Sequence, residues 1–319
     1  MAAPIPIRAW HWAGFILVVL VCVALDLGLF HRAARVVKMR QALLWSGIWL
    51  LLALIFASVL ARWRGQEESL QFLTGYLVEF SLSLDNVLAI TIIFASFGVA
   101  AEHQHRVLWL GIVGALLMRG LMIGAGVALL QTFHWLLYWM GLFLVVTGLR
   151  WGFTRQAAVR PQNNPAIRLA RKFFPVSNNF DGGRFVTLVA GRRALTPLAL
   201  VLLAVETTDL IFAVDSIPAV FAVTQNAFLV FTSNMFAILG LRSLYFVVAG
   251  AMKSFRYLRI GLAAVLVVIG LKMLATRWVQ VPTGLSLGVV LAIVAAAIFC
   301  SIPAYRRDKH RANATVSPS

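Results

Sequence analysis

Apolar residues in this chain come in long runs, separated by short polar stretches rich in Gly, Pro or basic residues. A helix crosses the hydrocarbon core of a bilayer with about 20 mostly apolar residues. On that criterion the pattern predicts nine spans, at 10–30, 42–61, 70–97, 107–130, 135–151, 195–223, 228–249, 257–275 and 283–302. One long polar stretch, 152–194, interrupts them. It carries Pro161, Pro165, Pro175 and the turn-like Asn178-Asn179-Phe180-Asp181-Gly182-Gly183. Such a composition suits a connector between two halves, without a core of its own. The expected fold class is all-α: a polytopic membrane protein forming a single transmembrane domain, 1–319.

The pattern repeats. Ser83-Leu84-Asp85-Asn86-Val87-Leu88-Ala89 parallels Ala213-Val214-Asp215-Ser216-Ile217-Pro218-Ala219. Leu117-Met118-Arg119-Gly120-Leu121 parallels Gly240-Leu241-Arg242-Ser243-Leu244. Leu144-Val145-Val146-Thr147-Gly148-Leu149-Arg150 parallels Leu266-Val267-Val268-Ile269-Gly270-Leu271-Lys272. The offsets are 130, 123 and 122, so order is kept and only loop lengths differ. The units are 70–151 and 195–276, three spans each. An odd number of spans makes the second unit enter the bilayer from the opposite side. The expectation is an inverted repeat, an arrangement common in secondary transporters with a midplane site. Around it lie two N-terminal spans (1–69), the connector (152–194), a last span (277–303) and a tail (304–319).

Composition sharpens this. Of 319 residues, 61% are hydrophobic and only 12% charged, against about 25% in ordinary soluble domains. The mean hydropathy is +0.89. A soluble globular enzyme and a disordered nucleic-acid-binding tail are excluded. The formal charge is nevertheless +17, and position explains it. Twenty of the 28 basic residues fall in the loop after span 1, at Arg106, in the connector, in the loop after span 7 and in the tail. Arg8, Arg62, Arg64 and Arg277 lie on the other side. By the positive-inside rule the C-terminus is cytoplasmic and the N-terminus outside. The expected partner is the lipid bilayer, and no nucleic acid. Cys22 and Cys300 sit in apolar runs and fit neither a disulfide framework nor a metal motif.

The acids carry the chemistry. Five of only eleven, Glu79 and Asp85 in span 3 and Glu206, Asp209 and Asp215 in span 6, lie inside apolar helices. Each Asp at a helix centre costs about 2.5–3.5 kcal/mol on the insertion scale. Together the five would cost on the order of 10 kcal/mol unless paired, protonated or metal-bound. Glu79 and Asp85 are six apart, as are Asp209 and Asp215, which places them 120° off a common face on a straight helix. Either the acids address different neighbours or the helices unwind between them. Pro218 makes distortion of span 6 an expectation, with Ser81 and Ser83 available to patch span 3. Carboxylates with Asn86, Ser216 and Asn234 form a hard-oxygen set suited to Mn²⁺, Ca²⁺ or Mg²⁺. Asn234 fits a ligand or a helix cap equally. The plain alternative is static ion pairing; Arg119 and Arg242 read best as counter-charges holding the site. No resident cofactor and no catalytic residues are expected, only a bound or transported divalent cation.

These residues resemble the TerC family of integral membrane proteins, particularly its Alx-like members. The likeness rests on Phe72-Leu73-Thr74-Gly75-Tyr76-Leu77-Val78-Glu79, Ser83-Leu84-Asp85-Asn86, and Val205-Glu206-Thr207-Thr208-Asp209-Leu210-Ile211-Phe212-Ala213-Val214-Asp215-Ser216-Ile217-Pro218-Ala219. It extends through 232–242 and covers nearly all the spans, but not the connector or tail. The resemblance implies metal-ion transport, with Mn²⁺ export and homeostasis, and a link to tellurium resistance. No Gly-x-x-x-x-Gly-Lys-Ser/Thr loop is present, so an ion gradient or downhill flow would drive transport. Protons suit the role of counter-ion, because ligand carboxylates shed protons to bind metal. The rivals are an intramembrane aspartyl protease, which lacks its Gly-x-Gly-Asp context here, and a membrane scaffold or stress-resistance (tellurite) protein with a structural metal site.

Overall fold

A computed structural model of the chain describes residues 7–30, 39–153, 164–189, 191–251, 258–279 and 281–315. Arg32, Arg35 and Lys38 of the first basic loop, Arg155 and Arg160 of the connector, and Lys253 and Arg256 lie outside the described residues. So do the side chains of Arg242 and of the basic tail.

The chain is a polytopic bundle of helices. In order they are α1 (Ala9–Phe30), α2 (Met39–Trp63), α3 (Gln66–Phe97), α4 (Ala101–Thr132), α5 (Leu136–Phe153), α6 (Pro165–Phe173), α7 (Pro197–Phe221), α8 (Ala227–Leu239), α9 (Leu241–Ala251), α10 (Leu258–Ala275) and α11 (Thr283–Thr315). Among the described residues, six helices are long and apolar enough to cross a membrane: α2, α3, α4, α5, α7 and the Thr283–Ser301 part of α11. Shorter apolar stretches are Ala9–Ala24 and Ala227–Leu239.

Burial sets the layout. In α3 67% of the most apolar window is buried inside the protein, against 17–39% in the other five spans. So α3 is the axis, and α2, α7, α8, α9 and α11 pack around it. The outer helices turn large apolar side chains outward, such as Leu44, Leu51, Leu121 and Phe299. In water such surfaces would drive aggregation, whereas in lipid they are the solvated face.

Helix ends are fixed locally. Thr196 caps α7 by accepting from the Ala199 N–H, with Pro197 in the first turn, where its missing N–H costs nothing. Asn226 caps α8 by accepting from the Phe228 N–H at 3.1 Å. Gly98 ends α3 in the left-handed region (φ 64°), which glycine adopts without strain.

Two expectations change. α3 and α7 run unbroken through their acids, and Pro218 sits only three residues from the end of α7. So near a C-terminus, a proline frees one carbonyl without severing the helix. The break instead falls in the expected seventh span, where α8 and α9 meet at Gly240 and the Ser243 hydroxyl donates to the Gly240 carbonyl at 2.9 Å. The connector carries secondary structure. It forms α6, a short 3-10 turn at Asp181–Gly183 and a hairpin of β1 (Val186–Val189) with β2 (Arg192–Leu195). Ile167, Ala170, Val176, Phe180 and Phe185 join the core formed by the ends of α3, α4 and α7. Its apolar positions were too few to close a core alone, but they complete a neighbouring one.

Candidate functional site around Arg119

Arg119 lies midway along α4 and is 1% exposed, the largest fully buried side chain among the described residues. Nη1 donates to Glu79 Oε2 of α3 at 2.7 Å. Nη2 donates to Asp209 Oδ1 of α7 at 3.1 Å, and Nε to Asp209 Oδ2 at 3.4 Å. The planar guanidinium fork meets one carboxylate with two donors and keeps a third for another, which an ammonium could not do in this geometry. Nη1 also reaches Ser216 Oγ at 3.4 Å.

Polar neighbours complete the shell. Asn234 of α8 donates from Nδ2 to Glu79 Oε1 at 2.7 Å. With its amide oriented to satisfy both ends, Asn86 donates to Leu82 O at 3.2 Å and accepts from Arg119 Nη2 at 3.1 Å. Glu79, Ser83 and Asn86 recur at four and three residues, so they share one face of α3. Ser83 Oγ and Asn234 Oδ1 are buried without a hydrogen-bond partner. Ser81, the other hydroxyl read as a patch, donates to Leu77 O at 2.6 Å within the intact helix.

Four of the predicted residues thus meet Arg119, namely Glu79, Asn86, Asp209 and Ser216, and Asn234 joins them through Glu79. Three lie outside this cluster. Glu206 lies one turn from Asp209 on the face that meets α4, where Gly114 makes room. A Cβ on Gly114 would fall 2.1 Å from Glu206 Oε1. Asp85 is rotated away on α3, within electrostatic reach of Arg259. Asp215 lies beside Thr147 of α5. The acids therefore address different neighbours, as the six-residue spacing on unbroken helices requires. Gly114, Ser83, Thr147 and Arg259 were not singled out as site residues in the sequence. A small residue opposite the span-6 acids was the available signal for Gly114.

The cluster holds more acids than bases. Two carboxylates share one guanidinium. Unpartnered buried oxygens beside a surplus carboxylate form a surrounding that a cation or a proton would satisfy.

The profile for the integral membrane protein TerC family matches residues 64–310. An uncharacterized membrane protein of Myxococcus xanthus is 50% identical over 291 residues, 91% of each chain. An Escherichia coli K12 protein named "Putative membrane-bound redox modulator Alx" is 42% identical over 310 residues, 94% of this chain and 97% of the relative. An uncharacterized membrane protein of Rickettsia bellii is 34% identical over 291 residues. No solved structure matches. With most of its length matched by the family profile and by these relatives, the chain belongs to the TerC family of integral membrane proteins.

Proposed function

We propose that the chain is a transporter, not an enzyme, that exports divalent cations, Mn²⁺ foremost, from the cytoplasm across the bacterial inner membrane. The observation that carries this is Glu79 and Asp209 sharing a single guanidinium, one carboxylate more than its charge can balance, with unpartnered oxygens beside them. Arg119 acts as an internal counter-ion that holds the empty site. A cation arriving at Glu79, Asp209, Asn86, Ser216 and Asn234 replaces part of its charge. Asp85, Glu206 and Asp215 flank that core as further ligands or relay carboxylates along the path. Exchange against protons follows from the same groups, since a carboxylate that releases metal takes up a proton.

The reading includes nine spans and an inverted repeat of two three-helix units, with the N-terminus outside. Equivalent positions support it. The offset of 130 maps Glu79 onto Asp209 and Asn86 onto Ser216, and all four surround Arg119. The offset of 122 exchanges two contacts of α5 with α10. A Cβ on Gly141 would meet Gly270 O at 3.2 Å, and one on Gly148 would meet Ala263 O at 2.7 Å. These are what a two-fold axis through the crossing generates.

Flux into proteoliposomes tests the reading. Wild type should carry Mn²⁺, and dissipating a pH gradient should slow it. Glu79→Gln and Asp209→Asn should each cut flux roughly tenfold or more, as expected where a ligand charge acts on the transported ion. Unchanged flux in both variants would sink it. The name of the E. coli relative suggests a second reading, a redox modulator. Cys22 and Cys300 are both free thiols, so this reading predicts a phenotype sensitive to Cys22→Ser and Cys300→Ser. Metal export does not.

A further inference from the structure

A cavity of about 400 Å³ opens where the N-terminal part of α3 meets the ends of α7 and α10 and the start of α11. Gln71, Phe221, Thr224, Lys272, Thr276 and Thr283 are among its lining residues. At its edge Glu67 accepts hydrogen bonds from Thr283 Oγ1 and from Gln71 Nε2. Lys272 is within electrostatic reach of the same carboxylate. Nothing described so far uses this space.

Two helix faces lead from it to Arg119. On α3, Gln71, Gly75 and Glu79 follow at four-residue intervals, on one face and about 12 Å from first to last. Opposite them, Ser216 and Val220 of α7 are followed by Thr224, whose N–H still bonds Val220 O at 3.1 Å. Both ladders start at the Arg119 cluster and end at the cavity. Between them the helices pack closely at Gly75. A Cβ on Gly75 would sit 2.9 Å from Ser233 Oγ and 3.2 Å from Val220 Cγ1. Immediately below, Asn234 binds Glu79. Apolar cores flank the cluster on both sides: Ile217, Val220, Phe221 and Val230 towards the cavity, and Val87, Ile90, Phe94, Val201 and Val205 on the opposite side.

We propose that this cavity is the extracytoplasmic mouth of the cation path and that Gly75 is its throat. The inference rests on the reading of the Arg119 cluster as a cation site. The ammonium of Lys272 discourages a cation from lodging in the mouth, which suits a route of exit.

Two experiments on the full chain test this, in a Cys22→Ser, Cys300→Ser background. The first places Thr224→Cys in the mouth and treats spheroplasts and inverted vesicles with a membrane-impermeant methanethiosulfonate. Labelling in spheroplasts and not in inverted vesicles is expected. Labelling from the cytoplasmic face alone, or from neither face, overturns the mouth. The second measures Mn²⁺ flux and Mn²⁺ affinity of Gly75→Ala. Flux should fall roughly tenfold while affinity stays within about threefold, the split expected when passage and not binding is hindered. Adding Ser233→Ala removes the nearest obstructing atom and should restore flux, while retained Mn²⁺ affinity in Gly75→Ala separates blocked passage from misfolding. Wild-type flux in Gly75→Ala overturns the throat. Wild type carrying no Mn²⁺ overturns the transport reading instead, and the labelling, which needs no transport, still decides the mouth.

Discussion

Glu79, Asp209 and Arg119 form a triad, buried at Glu79 and Arg119 and partly exposed at Asp209, in which each carboxylate depends on the same cation. Removing that cation strands two acids, and breaking a buried pair by deleting one partner costs about 3–5 kcal/mol. Arg119→Gln should therefore lower the unfolding midpoint in detergent markedly. Added Mn²⁺ should raise the midpoint of Arg119→Gln more than that of wild type, because the metal then supplies the missing charge. A variant as stable as wild type without metal would contradict the triad. At this scale the sequence was informative about which residues matter, since an acid in an apolar run stands out by its cost alone. It was silent about which acid meets which partner. The six-residue spacing left two geometries open, and only unbroken helices decide that Asp85 and Asp215 turn away from Arg119.

At the scale of elements, close helix contact rests on residues without side chains. Gly148 is the clearest case: a Cβ there would lie 2.7 Å from Ala263 O and 2.8 Å from Val267 Cγ2. Backbone cannot retreat as a flexible side chain can. Gly148→Ala should destabilise the protein by about 1–3 kcal/mol, the usual cost of overpacking. Gly124→Ala, with nothing within 4 Å of the new methyl, is the matched control and should stay near wild type. Reversible unfolding in mixed micelles compares the two. Equal effects would mean that the α5–α10 contact is looser than described. Element type was legible from hydropathy, and so were most boundaries. The break at Gly240 was not, because its φ of −74° and ψ of −15° are ordinary helical values that any residue adopts. Pro218 was the more conspicuous residue but sits where a helix tolerates it. The fold of the connector was also hidden, because its few apolar positions pack on a core contributed by distant segments.

At the scale of the whole molecule, the 20-to-4 split of basic residues predicts a cytoplasmic C-terminus. A green fluorescent protein fused after Ser319 should fluoresce, and alkaline phosphatase fused there should be inactive. The reverse pattern would invert the topology and, with it, the side on which the cavity by Lys272 opens. The same inversion would turn the proposed exit into an entrance while leaving the Arg119 cluster unchanged, so the fusion also fixes the direction of the path.

The sequence by itself determined that this chain lives in a bilayer, that its second half echoes its first, and that its few acids mark the interior. Each of these follows from a local cost: apolar length, positional periodicity, and the expense of a charge in hydrocarbon. Tertiary structure alone decided that Arg119 joins acids 130 residues apart, that Glu206 rests against Gly114, and that a cavity opens at Gln71, about two helical turns from Glu79. The reason is rotational. Sequence gives the position of a residue along a helix, but its partner depends on how each helix is turned about its own axis and against which neighbour. That is set by the fit of all the packed faces together, including glycines whose importance shows only when another backbone arrives beside them.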